Sequence, residues 1–113
     1  MISKDLVAAS ARPLILSILD QEGESYGYAI LQKVRELSKE KITWTDGMLY
    51  PVLHRLEREE LITAMWKEAE SGRERKYYRL TASGRNALKE ERQQWLTVHN
   101  SLARLWKLKI ASI

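Results

Sequence analysis

The feature that most constrains this sequence is a helical pattern of apolar residues within positions 45–57. The apolar positions follow the spacing i, i+3, i+4 and i+7: Leu49, Val52, Leu53 and Leu56. A stripe with this period buries one face of a helix and leaves the other face free. The free face carries the following side chains: Tyr50, Pro51, His54, Arg55 and Arg58. Hydroxyl, imidazole and guanidinium groups can bind phosphate oxygens and base edges, so the helix is a candidate for contact with a polynucleotide.

A polar outer face does not establish this role alone, because many helices of soluble proteins have one. Two more helices are predicted upstream. The first is expected to begin near Pro13, which suits the first turn of a helix, and to end at Gly23 after a dense apolar segment. An alternative is that Leu6, Val7 and the alanines after them already belong to this helix. The second has an apolar stripe from Tyr28 to Leu37. Together with the helix of residues 45–57, it gives the order of a helix-turn-helix.

The starts of the second and third helices carry residues that suit helix caps. Ser25 is expected to be the N-cap of the second helix, and Thr45 or Asp46 that of the third. Free N–H groups at the start of a helix commonly bind phosphate. The start of the second helix is therefore a candidate phosphate contact.

After residue 60 the apolar pattern changes to a period of two, which predicts two strands at positions 62–67 and 76–80. Both strands are expected to be half-buried, with their apolar faces inward: Ile62, Ala64 and Trp66 in the first strand and Tyr78 and Leu80 in the second. The intervening loop bends at Gly72 and is followed by Arg73, Arg75 and Lys76. A basic hairpin after three helices is the order of a winged helix-turn-helix. A charged hairpin that only keeps the protein in solution is the alternative interpretation of these cations.

A long final helix is predicted from about Ser83 to Lys109. Its apolar residues form a short heptad seam: Leu88, Trp95, Val98, Leu102 and Leu105. Such a seam is typical of paired helices, so we expect these residues to form a dimer interface. Glu91 interrupts the seam and could mark either its end or a polar opening within it. We expect residues 1–82 to form the winged unit and residues 83–113 to form the dimerisation helix.

Charge and composition narrow the range of partners. A net charge of +4 and a pI near 9.4 favour an anionic partner. The chain has no cysteine, which excludes disulfides and thiolate metal sites. It also lacks the run of roughly 18 apolar residues that a membrane span needs. We therefore expect a cytoplasmic protein with no membrane association and no cofactor.

Three stretches together resemble the PadR family of bacterial transcriptional regulators: residues 25–28, 48–57 and 72–81. The resemblance covers roughly residues 12–96, and the length is similar to that of the family's short branch, in which one C-terminal helix dimerises. It implies a mainly α fold with a small β-hairpin, namely a winged helix-turn-helix plus a long C-terminal dimerisation helix. It also implies a homodimeric repressor that binds a roughly palindromic operator in double-stranded DNA and releases it when a small molecule is sensed.

The resemblance also implies roles for particular residues. The expected DNA-binding residues are Ser25, Tyr26, Thr45, Tyr50, Pro51, His54, Arg55, Arg73, Arg75 and Lys76. Trp95 matches a tryptophan that, in some short members, lines a pocket for planar aromatic or cationic compounds. Simple packing within the dimer interface is the alternative role for this tryptophan. Glu60 departs from the family pattern, which usually has glycine there, so the third helix needs another cap.

Two other kinds of function have to be weighed against this one. A winged-helix module could instead use its third helix to bind protein, and it would then lack steep, salt-dependent DNA binding. An enzyme is disfavoured. His54 and Glu57 share a helix face, but the other histidine, His99, lies far along the chain and no acidic cluster completes a ligand set. We predict neither catalytic residues nor a metal site.

Overall fold

The computed structural model describes residues 2–112, and this part of the chain forms four helices and a three-stranded sheet. In chain order the elements are α1 (Lys4–Glu22), β1 (Ser25–Tyr26), α2 (Gly27–Leu37), α3 (Asp46–Arg58), β2 (Ile62–Glu68), β3 (Glu74–Leu80) and α4 (Ala82–Trp106). This order confirms the predicted mainly α, winged helix-turn-helix architecture with a long C-terminal helix. Among residues 2–112, no helix combines the length and apolarity needed to cross a membrane.

The core lies where α1, α2 and α3 pack against the sheet. Its largest fully buried side chains are Ile15, Leu16 and Leu19 of α1, Ile30 and Val34 of α2, Leu49, Leu53 and Leu56 of α3, Ile62 of β2 and Tyr78 of β3. The three leucines of α3 have no exposed surface. Because burial of one leucine stabilises a protein by about 1.5–3 kcal/mol, these side chains fix which face of α3 points outward.

The first helix begins before Pro13, so a start near Pro13 was wrong and the alternative that includes Leu6, Val7 and the alanines is present. The helix begins at Lys4, with the hydroxyl of Ser3 accepting a hydrogen bond from the Leu6 N–H at 3.2 Å. Proline inside a helix removes one backbone hydrogen bond. Here the segment before Pro13 remains helical because it has its own cap and because Ala11 is buried in the core.

The predicted hairpin has a third strand, which sequence reasoning missed. β3 pairs with β2 over its whole length, from Ile62 opposite Leu80 to Glu68 opposite Glu74. On its other side β3 pairs with β1, with Ser25 opposite Tyr78. The prediction that Ser25 caps the second helix was therefore wrong, because its backbone belongs to the sheet and Tyr26 occupies the N-cap position of α2.

The C-terminal segment turns back along α4. Lys107 adopts a left-handed conformation with φ of 59°, and α4 ends at Trp106 and not at the predicted Lys109. The side-chain amide of Asn100 donates to the Ala111 carbonyl at 3.1 Å and accepts from the Ala111 N–H at 2.8 Å. Asn100 is 5% exposed. The tail thus covers the part of α4 that carries Asn100.

At the end of α3, a non-glycine residue adopts the left-handed conformation that usually requires glycine. Glu60 has a φ of 61°. Its N–H donates to the Glu57 carbonyl and that of Leu61 donates to the Leu56 carbonyl, both at 3.0 Å. These are the two bonds of a Schellman motif, whose left-handed position usually holds glycine.

We expect Glu60→Gly to stabilise the protein. A left-handed conformation costs a residue with a Cβ roughly 1–2 kcal/mol, and glycine avoids this cost. Glycine also has more conformational freedom in the unfolded chain, which offsets part of the stabilisation. The net gain should be about 0.5–1 kcal/mol in the free energy of unfolding. Urea titration measures it. Glu60→Ala, which keeps a Cβ, serves as the control and should show no such gain.

Candidate nucleic-acid interface

The outer face of α3 is fixed by its buried leucines and its N-terminal cap. The Thr45 hydroxyl accepts a hydrogen bond from the Met48 N–H at 3.3 Å and so caps the helix. Tyr50 is 38% exposed, and Pro51, His54 and Arg55 are exposed on the same side. These are the α3 residues that the sequence predicted to face outward.

The start of α2 lies close to this face. A Cβ built on Gly27 would stand 2.4 Å from the Tyr50 hydroxyl, so the absence of a side chain there lets α2 and α3 approach. No side chain caps α2, and its first turn contains no acidic residue. The backbone N–H groups of this turn are therefore available to an oxygen ligand.

Tyr26 and Arg75, both predicted DNA contacts, stack on one another. The Arg75 guanidinium lies over the Tyr26 ring, 4.0 Å from its centroid. The Tyr77 ring meets Tyr26 edge to face, with the centroids 5.3 Å apart. This stack holds the Arg75 cation between the wing (β2, β3 and their loop) and the start of α2. Ser25, by contrast, is 7% exposed, and its position in β1 covers its side chain.

A groove of about 350 Å³ separates the wing from the helices. We call it the interface groove. Its walls combine aromatic and cationic side chains from α2, α3 and the wing with one carboxylate of the wing: Tyr26, Tyr28, Tyr50, Trp66, Arg75, Lys76 and the acidic Glu74. Trp66 is 63% exposed, so the prediction that it is buried with Ile62 and Ala64 was wrong. β2 extends past the helices that cover Ile62, and nothing within residues 2–112 covers its outer half.

The base of the interface groove holds a buried hydroxyl. Tyr78 is 1% exposed, and its hydroxyl has no hydrogen-bond partner within the described part of the chain. Burial raises the pKa of Tyr78, so it keeps its proton as a donor. The Lys76 ammonium lies 5.4 Å from the Tyr78 ring centroid and 3.3 Å from the Glu57 carboxylate. Burial opposes the charge of Lys76, but Tyr78 and Glu57 outweigh it and leave the pKa of Lys76 above its ordinary value.

The wing tip presents Arg73 to solvent. Gly72 has a φ of 85°, a conformation that glycine adopts without strain, and the Arg73 carbonyl accepts from the Ala69 N–H at 2.8 Å to close the turn. Arg73 makes no ion pair with any residue from 2 to 112. Its charge is available to an external anion.

Glu24 anchors the wing, a role that no sequence pattern indicated. Its carboxylate accepts hydrogen bonds from Lys67 of β2 and, at 3.3 Å, from Arg79 of β3. The Lys67 bond is the main reason why the pKa of Glu24 lies below its ordinary value. Pairs between residues this far apart in sequence, 43 and 55 positions, leave no periodic signal.

The seam on α4 is largely exposed. Trp95 is 39%, Val98 56%, Leu102 37% and Leu105 77% exposed, whereas Leu88 packs partly against the core. Trp95 and Val98 also line a shallow apolar cavity of about 350 Å³ with Leu6 of α1. The structure thus brings the predicted interface residues, apart from Leu88, onto one uncovered face.

The interruption at Glu91 has an intramolecular explanation. Its carboxylate accepts a hydrogen bond from Arg12 Nε of α1 at 2.9 Å, and Arg12 Nη1 donates to Glu59 at 2.9 Å. Burial opposes the charge of Arg12, but these two hydrogen bonds leave its pKa above its ordinary value. Beyond Glu91 the exposed apolar face continues with Trp95 and Val98.

The described residues do not assemble a metal site. No group of three or more histidine, aspartate or glutamate side chains in residues 2–112 could hold an ion. His54 lies beside Tyr50, with the ring centroids 6.5 Å apart. His99 is exposed on α4, remote in sequence from α3.

Known proteins share this fold and parts of this sequence. A family model described as the transcriptional regulator PadR-like family matches residues 15–90. The crystal structure of a PadR-like transcriptional regulator from Bacillus cereus is similar to 94% of this chain and 100% of its own, with 30% identity and a TM-score of 0.81. A transcriptional regulator from Clostridium thermocellum also has 30% identity and a TM-score of 0.81, over 92% of this chain and 97% of its own. The transcriptional regulator YqjI of Escherichia coli is 35% identical over 83 residues, which make up 74% of this chain and 38% of that protein.

Proposed function

Because the chain belongs to the PadR-like family of transcriptional regulators, we propose that it acts as a homodimer on a roughly palindromic operator in double-stranded DNA. Each subunit places the outer face of α3 in a major groove, and the wing cations reach the neighbouring minor groove or phosphates. Two-fold symmetry sets the half-sites about one DNA turn, roughly 34 Å, apart. The bound dimer represses transcription until a small molecule releases it.

One observation carries the proposal, namely that three sets of phosphate-binding groups open onto the interface groove. They are the uncapped start of α2, the wing cations Arg75 and Lys76, and the hydroxyl of Tyr50. Each of them can donate a hydrogen bond to a phosphate oxygen.

Selection of duplexes from a random library, followed by footprinting, tests this function. We expect enrichment of a duplex with two related half-sites and a protected region that spans both. Affinity should fall steeply with salt because Lys and Arg contacts release condensed counterions. A protein that enriches no duplex and ignores duplex DNA in dilute buffer would instead support the protein-binding alternative.

The proposed dimer rests on the exposed seam of α4. Trp95, Val98, Leu102 and Leu105 form an apolar surface that water disfavours, and pairing with a second copy would cover it. Sedimentation equilibrium should report a species of twice the chain mass of 13.2 kDa. A monomer at micromolar concentration would contradict this part of the proposal.

The effector is proposed to be a planar aromatic or cationic compound that stacks on Trp95. The ring is 39% exposed in the single chain and lies beside Leu6 and Val98. In the proposed dimer it would line the space between the two subunits, where a flat molecule can stack on it. We expect planar aromatic cations to quench tryptophan emission, and Trp95→Phe to remove most of that quenching. Equal quenching of the two proteins, or none across a panel of planar cations, would count against the stacking site.

A further inference from the structure

Arg12 joins three helices through one guanidinium group. Its Nε donates to Glu91 of α4 and its Nη1 donates to Glu59 at the end of α3, each at 2.9 Å. Arg12 itself belongs to α1, and these partners lie 79 and 47 positions away in sequence. Because the guanidinium is planar, the two carboxylates are held at a fixed angle to one another.

The two carboxylates lie next to the proposed functional parts of their helices, namely the DNA-contacting face of α3 and the Trp95 region of α4. Glu59 is the C-cap residue of α3, directly after the outward face of that helix. Glu91 lies one helical turn before Trp95, on the same side of α4. A change in the position of α4 near Trp95 would therefore displace Glu91, and through Arg12 it would displace the end of α3.

We propose that Arg12 is a positioning residue that couples the orientation of α4 to that of α3. The proposal rests on the proposed function, since its consequence is the placement of α3 on DNA. The side chains of Arg12, Glu59 and Glu91 are 34%, 40% and 19% exposed. The arm to Glu59 is exposed, and an exposed ion pair contributes little stability by itself. What the bridge supplies is a second geometric constraint between α4 and the end of α3, farther along α4 than the junction at Thr81 and Gly84.

A pure charge effect and the proposed positioning role predict different results for the variant Glu91→Gln. Glu91→Gln removes a negative charge from a protein that would bind a polyanion, so a charge effect should tighten all DNA binding. Under the proposal the same change releases Arg12 from α4 and weakens the discrimination between DNA sequences. Arg12→Gln should weaken discrimination as well. Arg92→Gln, an exposed change next to Glu91, is the charge-matched control for Arg12→Gln.

The first measurement needs no DNA. Peptide-level hydrogen–deuterium exchange on the full chain follows residues 55–61, which form the end of α3 and its junction with β2. We expect Glu91→Gln and Arg12→Gln each to speed exchange there by about threefold, and Arg92→Gln to leave it unchanged. Glu91 reaches Glu59 only through Arg12 in this bridge, so unchanged exchange in Glu91→Gln would overturn the proposal.

The second measurement compares affinities for the library-selected duplex and for a scrambled duplex of the same length. The ratio of the two cancels general charge effects. We expect it to fall about three- to tenfold in both bridge variants and not in Arg92→Gln. A ratio that stays constant in Glu91→Gln while both affinities rise would reduce the bridge to a charge effect and overturn the proposal. If no duplex is enriched, the proposed function fails, and the exchange measurement alone decides the coupling.

Discussion

Gly84→Ala is expected to destabilise the protein by roughly 2–3 kcal/mol. A Cβ on Gly84 would stand 2.0 Å from the Leu61 carbonyl oxygen, a backbone atom that cannot rotate away. The same junction is fastened by Thr81, whose hydroxyl donates to the Glu60 carbonyl at 2.7 Å and accepts from the Gly84 N–H at 3.0 Å. The start of α4 would have to move off the end of α3. Urea titration of the two proteins gives the difference in the free energy of unfolding.

Gly47→Ala is the matched control for this variant. Gly47 also lies in the first turn of a helix, but a Cβ there would meet only the Thr45 hydroxyl oxygen, at 3.8 Å. Alanine at this position should stabilise the protein by about 0.5–1 kcal/mol, as glycine is a poor helix former. If both variants shift the free energy of unfolding in the same direction and by a similar amount, the close contact between Gly84 and the Leu61 carbonyl does not determine the stability of this junction.

Arg55→Ala is expected to lower affinity for the selected duplex by about 10- to 100-fold and affinity for a scrambled duplex far less, if Arg55 reaches a base edge. The side chain is exposed on the face of α3 opposite the buried leucines, which places it toward the major groove in the proposed complex. Fluorescence-anisotropy titrations with both duplexes measure the two affinities. An equal loss on both duplexes would show that Arg55 contacts phosphate and does not read sequence.

Arg73→Ala provides the contrast. Arg73 stands at the wing tip without an ion pair inside residues 2–112, so its expected partner is the sugar–phosphate backbone. Its removal should weaken binding to both duplexes alike and reduce the slope of log affinity against log salt by about 1. A sequence-dependent loss in this variant would instead place Arg73 against base edges in a groove.

Local periodicity predicted much of this fold because helices and strands are local structures. The spacing of Leu49, Leu53 and Leu56 predicted both the helix and its free face, and both are present. The alternation through Tyr78 and Leu80 likewise predicted a strand with one buried side. Such patterns indicate which side of a helix or strand is buried, but not which other element it packs against.

The failures came from interactions between distant parts of the chain. Serine is a common N-cap residue, but the backbone of Ser25 pairs with β3 and belongs to the sheet. Trp66 follows the alternation of its strand, yet β2 runs beyond the helices that would bury it. The ion pairs of Glu24 and of Arg12 depend on how helices and strands are placed in space, which no spacing along the sequence records.

The short strand β1 has a consequence for the proposed DNA complex. It joins the start of α2 to β3 by backbone pairing, with Tyr26 opposite Tyr77. This pairing limits how far the first turn of α2 and the wing can move apart when a ligand binds. An operator whose strands already have the matching local width would be bound with less distortion, so base pairs that no side chain touches would still affect the choice of site.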